Sequence, residues 1–117
     1  EMNKPMVIHC VKGWEELRRA HSKIKPARPW VIHGFRGNGR LASSLAEAGF
    51  WFSLGTGGLT PEVLASVSHE KILLETDDSG QQVTEVYRLF AAAARYDQER
   101  AESLIRSNFN SLFNYNL

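Results

Sequence analysis

Short apolar runs of strand length alternate along this chain with stretches whose apolar residues recur at helical spacing. Met6 to Cys10, Trp30 to His33, Phe50 to Leu54 and Lys71 to Glu75 are rich in β-branched and aromatic residues and read as strands. Between them Trp14, Leu17, Ala20 and Ile24 mark one helical face, and Leu41, Leu45 and Ala48 mark a second. Thr60-Pro61 reads as an N-cap followed by proline at the first helical position, which predicts a third helix. Beyond Glu75 a polar loop leads to Val83, Val86, Tyr87 and Phe90 on one more helix. Asp97 is placed to cap a last one carrying Ala101, Leu104 and Ile105. Successive apolar runs begin about 20 residues apart, too far for hairpins and suited to parallel strands joined by crossover helices. The predicted class is therefore α/β, one unit over residues 1–117.

The first two runs are near copies, Pro5-Met6-Val7-Ile8-His9-Cys10 and Pro29-Trp30-Val31-Ile32-His33-Gly34. Alternate side chains of a strand point to opposite faces, so Val7 shares a face with His9 and Val31 with His33. Each histidine is then the last inward residue of its strand. In Leu73-Leu74-Glu75-Thr76-Asp77 the same parity ends the fourth strand in two acids. Parallel α/β architectures place their chemistry at the carboxyl ends of the strands. Three strands are thus expected to deliver His9, His33 and an acid, Glu75 or Asp77, to one rim.

Composition narrows the classes. The 117 residues are 43% hydrophobic and 23% charged, an ordinary globular balance. Fourteen Lys and Arg against thirteen Asp and Glu leave a formal charge of +1, which argues against a strongly basic nucleic-acid module while allowing a local basic mouth. No apolar run approaches the roughly 20 residues that cross a bilayer, and the first residues lack the order of a signal peptide. The lone cysteine, Cys10, has no internal disulfide partner and fits a reducing compartment; a cytoplasmic protein without a membrane partner is expected. The chain opens on Glu1, so the expectation is a processed product, a trimmed chain or a piece of something longer.

Imidazole and carboxylate together suit zinc, manganese, iron or nickel, and strand ends would hold such a set rigidly with open positions for water. A metal there would acidify a bound water and polarise a phosphoryl or carbonyl oxygen, which is the chemistry of hydrolysis. The competing reading makes His9 and His33 hydrogen-bonded strand-end residues and Asp77 a turn former. The residues by themselves leave both open.

The blocks Val-Ile-His-Cys at 7 to 10, Val-Ile-His-Gly-Phe-Arg-Gly at 31 to 37 and Leu-Leu-Glu-Thr-Asp at 73 to 77, with Asn110-Ser111-Leu112-Phe113, resemble the TatD family of metal-dependent hydrolases. That family belongs to the amidohydrolase-type (β/α)8 TIM barrels and is usually described as deoxyribonucleases. The resemblance runs over essentially the whole chain but over only the second half of the family's barrel. It implies a C-terminal half-barrel of four parallel strands with flanking helices. Carried over, it makes His9 and His33 ligands of one metal, and Asp77 a ligand of the other and the catalytic residue that orients or deprotonates the attacking water. Glu75 would stand behind the ligands or beside the substrate. The complete enzyme would carry two divalent ions (zinc, manganese, magnesium, iron or nickel). The family's His-x-His pair and bridging glutamate do not occur here, so this chain alone is expected to be inactive. Two-metal chemistry needs both ions about 3.5–4 Å apart.

Within the matched blocks, Val11-Lys12 follows the first His-Cys where the family often has an arginine, and Asp78-Ser79-Gly80 follows the Asp where the family commonly has a small residue and proline. Both departures fall where substrate would touch the rim. Lys12, Arg36 and Arg40 lie on or just after the rim loops, placed either to meet the phosphates of DNA or another phosphodiester or as solvated surface charges. Gly34, Gly37 and Gly39, and Gly55, Gly57 and Gly58, read first as tight turns and second as phosphate or substrate contacts. His21, His69 and Cys10 read as structural, and Trp14, Trp30 and Trp51 as core. Four strands leave two open sheet edges, which pair readily with another chain. The expected partner is the missing N-terminal half or a second copy. The competing functional classes are a non-catalytic half-barrel module for interaction or oligomerisation and a metal-free phosphate-binding domain.

Overall fold

A computed structural model describes residues 5–9, 12–75 and 83–114. Four strands, β1 (Met6–His9), β2 (Trp30–His33), β3 (Trp51–Leu54) and β4 (Ile72–Leu74), form one parallel sheet in the order β1-β2-β3-β4. Five helices accompany them: α1 (Trp14–Ile24), α2 (Gly39–Glu47), α3 (Pro61–Ser66), α4 (Val83–Ala94) and α5 (Gln98–Asn114). This is the α/β half-barrel expected from the apolar runs. The third and fourth strands start one residue later than their runs do. Phe50 is still tied to the end of α2 through its amide and the Leu45 carbonyl, and Lys71 closes a short 3-10 turn that begins at His69.

Local chemistry sets the helix ends. Asn38 Oδ1 accepts from the Leu41 amide at 2.9 Å, Thr60 Oγ1 from the Val63 amide at 3.2 Å, and Asp97 Oδ1 from the Arg100 amide at 2.7 Å. Each satisfies an amide that the first helical turn leaves without a partner. At the other end α1 stops where Lys25 turns left-handed, its amide bonded to the His21 carbonyl at 2.9 Å. In α1, Glu15 and Glu16 stand in the first turn and His21 and Lys23 in the last, charges that match the helix dipole.

Register separates the two faces. Ile8, Ile32, Phe52 and Ile72 align across the strands and point to the helices, where Ile32, Phe52 and Ile72 are fully buried with Phe35, Leu45, Val63 and Phe90. The opposite face carries Val7, Val31 and Trp51 on one level and His9, His33, Ser53 and Leu73 on the next. Val31, Trp51 and Leu112 form a second small core there, with Leu73 packed against it. Leu112 comes from the end of α5, which is fastened to the entry ends of the strands. Its carbonyl accepts from Arg28 Nη2 at 2.6 Å, and Asn108 Nδ2 reaches the carbonyls of His69 and Ile72, both at 2.8 Å.

His69 is structural, as its place in the sequence suggests. Its Nε2 meets the Leu64 carbonyl at 2.8 Å and its Nδ1 the Tyr96 hydroxyl at 2.7 Å. A carbonyl only accepts, so Nε2 carries the proton and Nδ1 accepts from the tyrosine. His21 is structural too, its ring edge-on to Trp30 and tilted against Phe50, and burial pushes its pKa below the usual imidazole value.

Candidate functional site

His9 and His33 sit opposite each other in the register at the carboxyl ends of β1 and β2, and their rings stand 4.4 Å apart. Parity alone put both on the inner face, and strand order makes them neighbours. Ser53 is the next residue across, at the end of β3. Glu75 directly follows β4, its amide bonded to the Leu54 carbonyl at 3.1 Å, and its side chain turns back over β3 toward β2. One carboxylate oxygen, Oε1, gathers three groups: Ser53 Oγ at 2.5 Å, His33 Nε2 at 3.1 Å and the Gly34 amide at 3.3 Å. The Glu75 side chain is only 10% exposed against 37% for that of His33, so the acid lies beneath the rim and the imidazole at it.

Gly34 is required by its backbone. It turns left-handed at φ 69°, a conformation that strains residues bearing a side chain, and its amide points at both Glu75 and the Ser53 carbonyl. Other rim glycines are accounted for by packing. A methyl group on Gly58 would collide with the Phe35 carbonyl, and one on Gly37 would come within 2.6 Å of the Phe35 ring. The first contact brings the loops after β2 and β3 against each other, and the second tightens the loop after β2 on itself.

Lys12, Arg36 and Arg40 are all exposed; Lys12 and Arg36 follow the carboxyl ends of β1 and β2, the end of the sheet that carries the histidines, and Arg40 lies in the first turn of α2. The Arg36 side chain lies across Gly57: a methyl there would fall 2.8 Å from the guanidinium carbon. Asp77 and Cys10 lie outside the described residues, so the acid expected to complete the site is not placed. Ser53 was not among the residues singled out from the sequence. The run Phe50-Trp51-Phe52-Ser53-Leu54 reads as packing, yet a hydroxyl at its inward, rim-end position is the signal that strand parity offers.

The residues present fit part of a metal site. Two adjacent imidazoles supply nitrogen donors of the kind zinc, iron, nickel and manganese accept. His33 Nδ1 is buried with no hydrogen-bond partner among the described residues, a nitrogen that a ligand would satisfy. Among those residues no group of three or more His, Cys, Asp or Glu side chains is gathered closely enough to hold an ion. The pair is an incomplete set that needs further donors.

Residues 1–114 match the profile of the family described as TatD related DNase. The chain belongs to that family. Its fold is shared with YjjV, a TatD homologue of Escherichia coli K12 (TM-score 0.81, 24% identity), and with a TatD family hydrolase of Entamoeba histolytica (TM-score 0.79, 14% identity). Each superposition covers 94% of this chain and 50% of the other, so the chain spans half the length of these structures. No curated protein matches the sequence. The half-barrel is thus a part of the TatD barrel, and the family is one of hydrolases. Among the described residues no helix is long and apolar enough to cross a membrane.

Proposed function

We propose that this chain is the carboxyl-terminal half of a divalent-metal-dependent hydrolase that cleaves phosphodiester bonds in DNA, acting in the cytoplasm. The observation that carries the reading is the pairing of His9 with His33, rings 4.4 Å apart, at the rim of a TatD-family half-barrel. In this reading His9 and His33 hold one ion, and Asp77 helps hold a second while orienting the attacking water. When bound, the metal supplies Lewis acidity and an acidified water. The chain's own residues do the remainder. Glu75 and Ser53 steady the histidine, while Lys12 and Arg36 meet the phosphates flanking the scissile bond.

The remaining donors come from the other half of a barrel, which covers the two open edges. All of the large apolar residues left exposed among the described ones support this: Met6, Val7 and Ile24 lie on the first strand and helix, and Phe109 and Phe113 on the last helix. A cleft of about 520 Å³ opens beside β4, lined in part by Leu73, Leu74, Tyr87, Ile105 and Phe109, as expected where a further strand and helix would pack. The same exposed edges favour the second reading, a non-catalytic module that associates through them, with a second copy as the competing occupant.

The test is to supply an amino-terminal half-barrel of a TatD relative together with manganese or zinc and to follow cleavage of DNA. Metal-dependent cleavage that disappears in Asp77→Asn, with the far-ultraviolet spectrum unchanged, is the expected result. A stable complex without cleavage favours the module, and full activity in Asp77→Asn overturns the role given to that acid.

A further inference from the structure

We propose that Gly57 is a positioning residue for Arg36, a bare backbone seat that holds the guanidinium along the rim for contact with a phosphodiester. The inference deepens the proposed function and rests on it for the ligand that Arg36 meets. Its basis is a close approach that the turn around Gly57 does not require. Gly57 is the third residue of a turn in which the Gly58 amide bonds to the Gly55 carbonyl at 3.0 Å. The left-handed glycines among the described residues are Gly13, Gly34 and Gly49, so a left-handed backbone is not what calls for glycine at 57. Arg36 is what calls for it. A methyl group on Gly57 would stand 2.8 Å from both Cζ and Nε of Arg36 and 3.2 Å from its Cδ, and these are the three nearest atoms beyond the adjoining residues.

Both sides of that contact are held. Phe35, the residue before Arg36, is buried and packs edge-on against Trp14 and Phe52. Gly58, the residue after Gly57, lies directly against the Phe35 carbonyl, with no room for a methyl group between them. The backbones of Arg36 and Gly57 are therefore fixed relative to each other, and the arginine side chain bridges them. It leaves the loop after β2 just beyond His33, and its guanidinium rests over the loop after β3. The side chain thus runs along the exit ends of the strands instead of away into solvent. An arginine ordered before binding loses less rotamer freedom when it meets a ligand, and its planar fork matches two phosphate oxygens at once. A side chain at 57 would take the seat and leave Arg36 charged but undirected.

The experiment uses the whole chain, free of metal, with a short fluorescent single-stranded oligodeoxynucleotide as the probe and anisotropy as the readout. Gly57→Ala should bind it about tenfold more weakly than the parent, the scale of one charged hydrogen bond, with the far-ultraviolet spectrum and the urea midpoint unchanged. Arg36→Ala should bind more weakly still and flatten the fall of log affinity with log salt by about 0.7, the share of one phosphate on a single strand. In the Arg36→Ala background Gly57→Ala should change nothing further, because the group it displaces is gone. The Arg36 Nε–H signal in a 1H–15N spectrum, assigned by its loss in Arg36→Ala, should show restricted motion in the parent and averaged motion in Gly57→Ala. Parental affinity in Gly57→Ala, an equal loss in the Arg36→Ala background, an Nε–H equally mobile in both chains, or an unfolded Gly57→Ala chain overturns the proposal. A parent chain that binds no oligonucleotide overturns the DNA reading, while the Nε–H signal still decides whether Gly57 seats Arg36.

Discussion

The inner face of this sheet has two ends built from the same strands and the same parity. At the entry end Val31, Trp51 and Leu112 close into a small apolar core, sealed by Arg28 and Asn108 bonding to backbone carbonyls. At the exit end, two residues further along β2 and β3, the corresponding positions are His33 and Ser53, and β4 is followed by Glu75. One end fills space, whereas the other gathers polar atoms around one carboxylate oxygen. A step of two residues keeps the face and changes its purpose. The contrast teaches that a parallel strand can serve stability at its start and chemistry at its end with little interference between them.

If that division holds, substitutions at the two ends should separate stability from metal uptake. Trp51→Ala should have the largest effect, about 3–5 kcal/mol lost in urea unfolding, because it empties the apolar end. Asn108→Ala should cost less, about 1–3 kcal/mol, by leaving the carbonyls of His69 and Ile72 without their partner. The His9→Ala plus His33→Ala chain should lose metal uptake, yet stay within about 1 kcal/mol of the parent in stability, since neither ring belongs to either core. A double variant that unfolds, or a Trp51→Ala chain of parental stability, would break the division.

The smallest expected effect lies away from both ends, at His21. Burial lowers the pKa of this ring in the folded chain relative to its ordinary value of 6.5. Below that value the unfolded chain takes up the proton first. The contribution is therefore fully present above about pH 6.5 and is lost as the pH falls toward the depressed folded value. His21→Leu should accordingly flatten the decline of the urea midpoint between about pH 7 and pH 5. An undiminished decline in that variant would assign the acid sensitivity to other groups.

Much of this was legible in the sequence. The β-branched runs predict four strands because strand length and spacing leave few alternatives, and parity by itself places His9 and His33 on one face. The helix caps at Thr60 and Asp97 were legible because capping is local chemistry. Ser53 escaped notice because its role depends on Glu75, 22 residues away, bending back over β3, and no local pattern encodes that bend. His69 is similar: its partners are the Leu64 carbonyl and a tyrosine 27 residues later. The starts of β3 and β4 were each read one residue early, since Phe50 and Lys71 suit a strand by residue type but are held by the preceding helix and turn. Asp77, central to the resemblance, lies outside the described residues.

The most direct test of the rim as a metal centre is an anomalous-difference map, recorded at the zinc absorption edge, from crystals of the chain grown with zinc. The account predicts a peak within bonding distance of a nitrogen of His9 and a nitrogen of His33. A zinc peak elsewhere with that pair bare would contradict it.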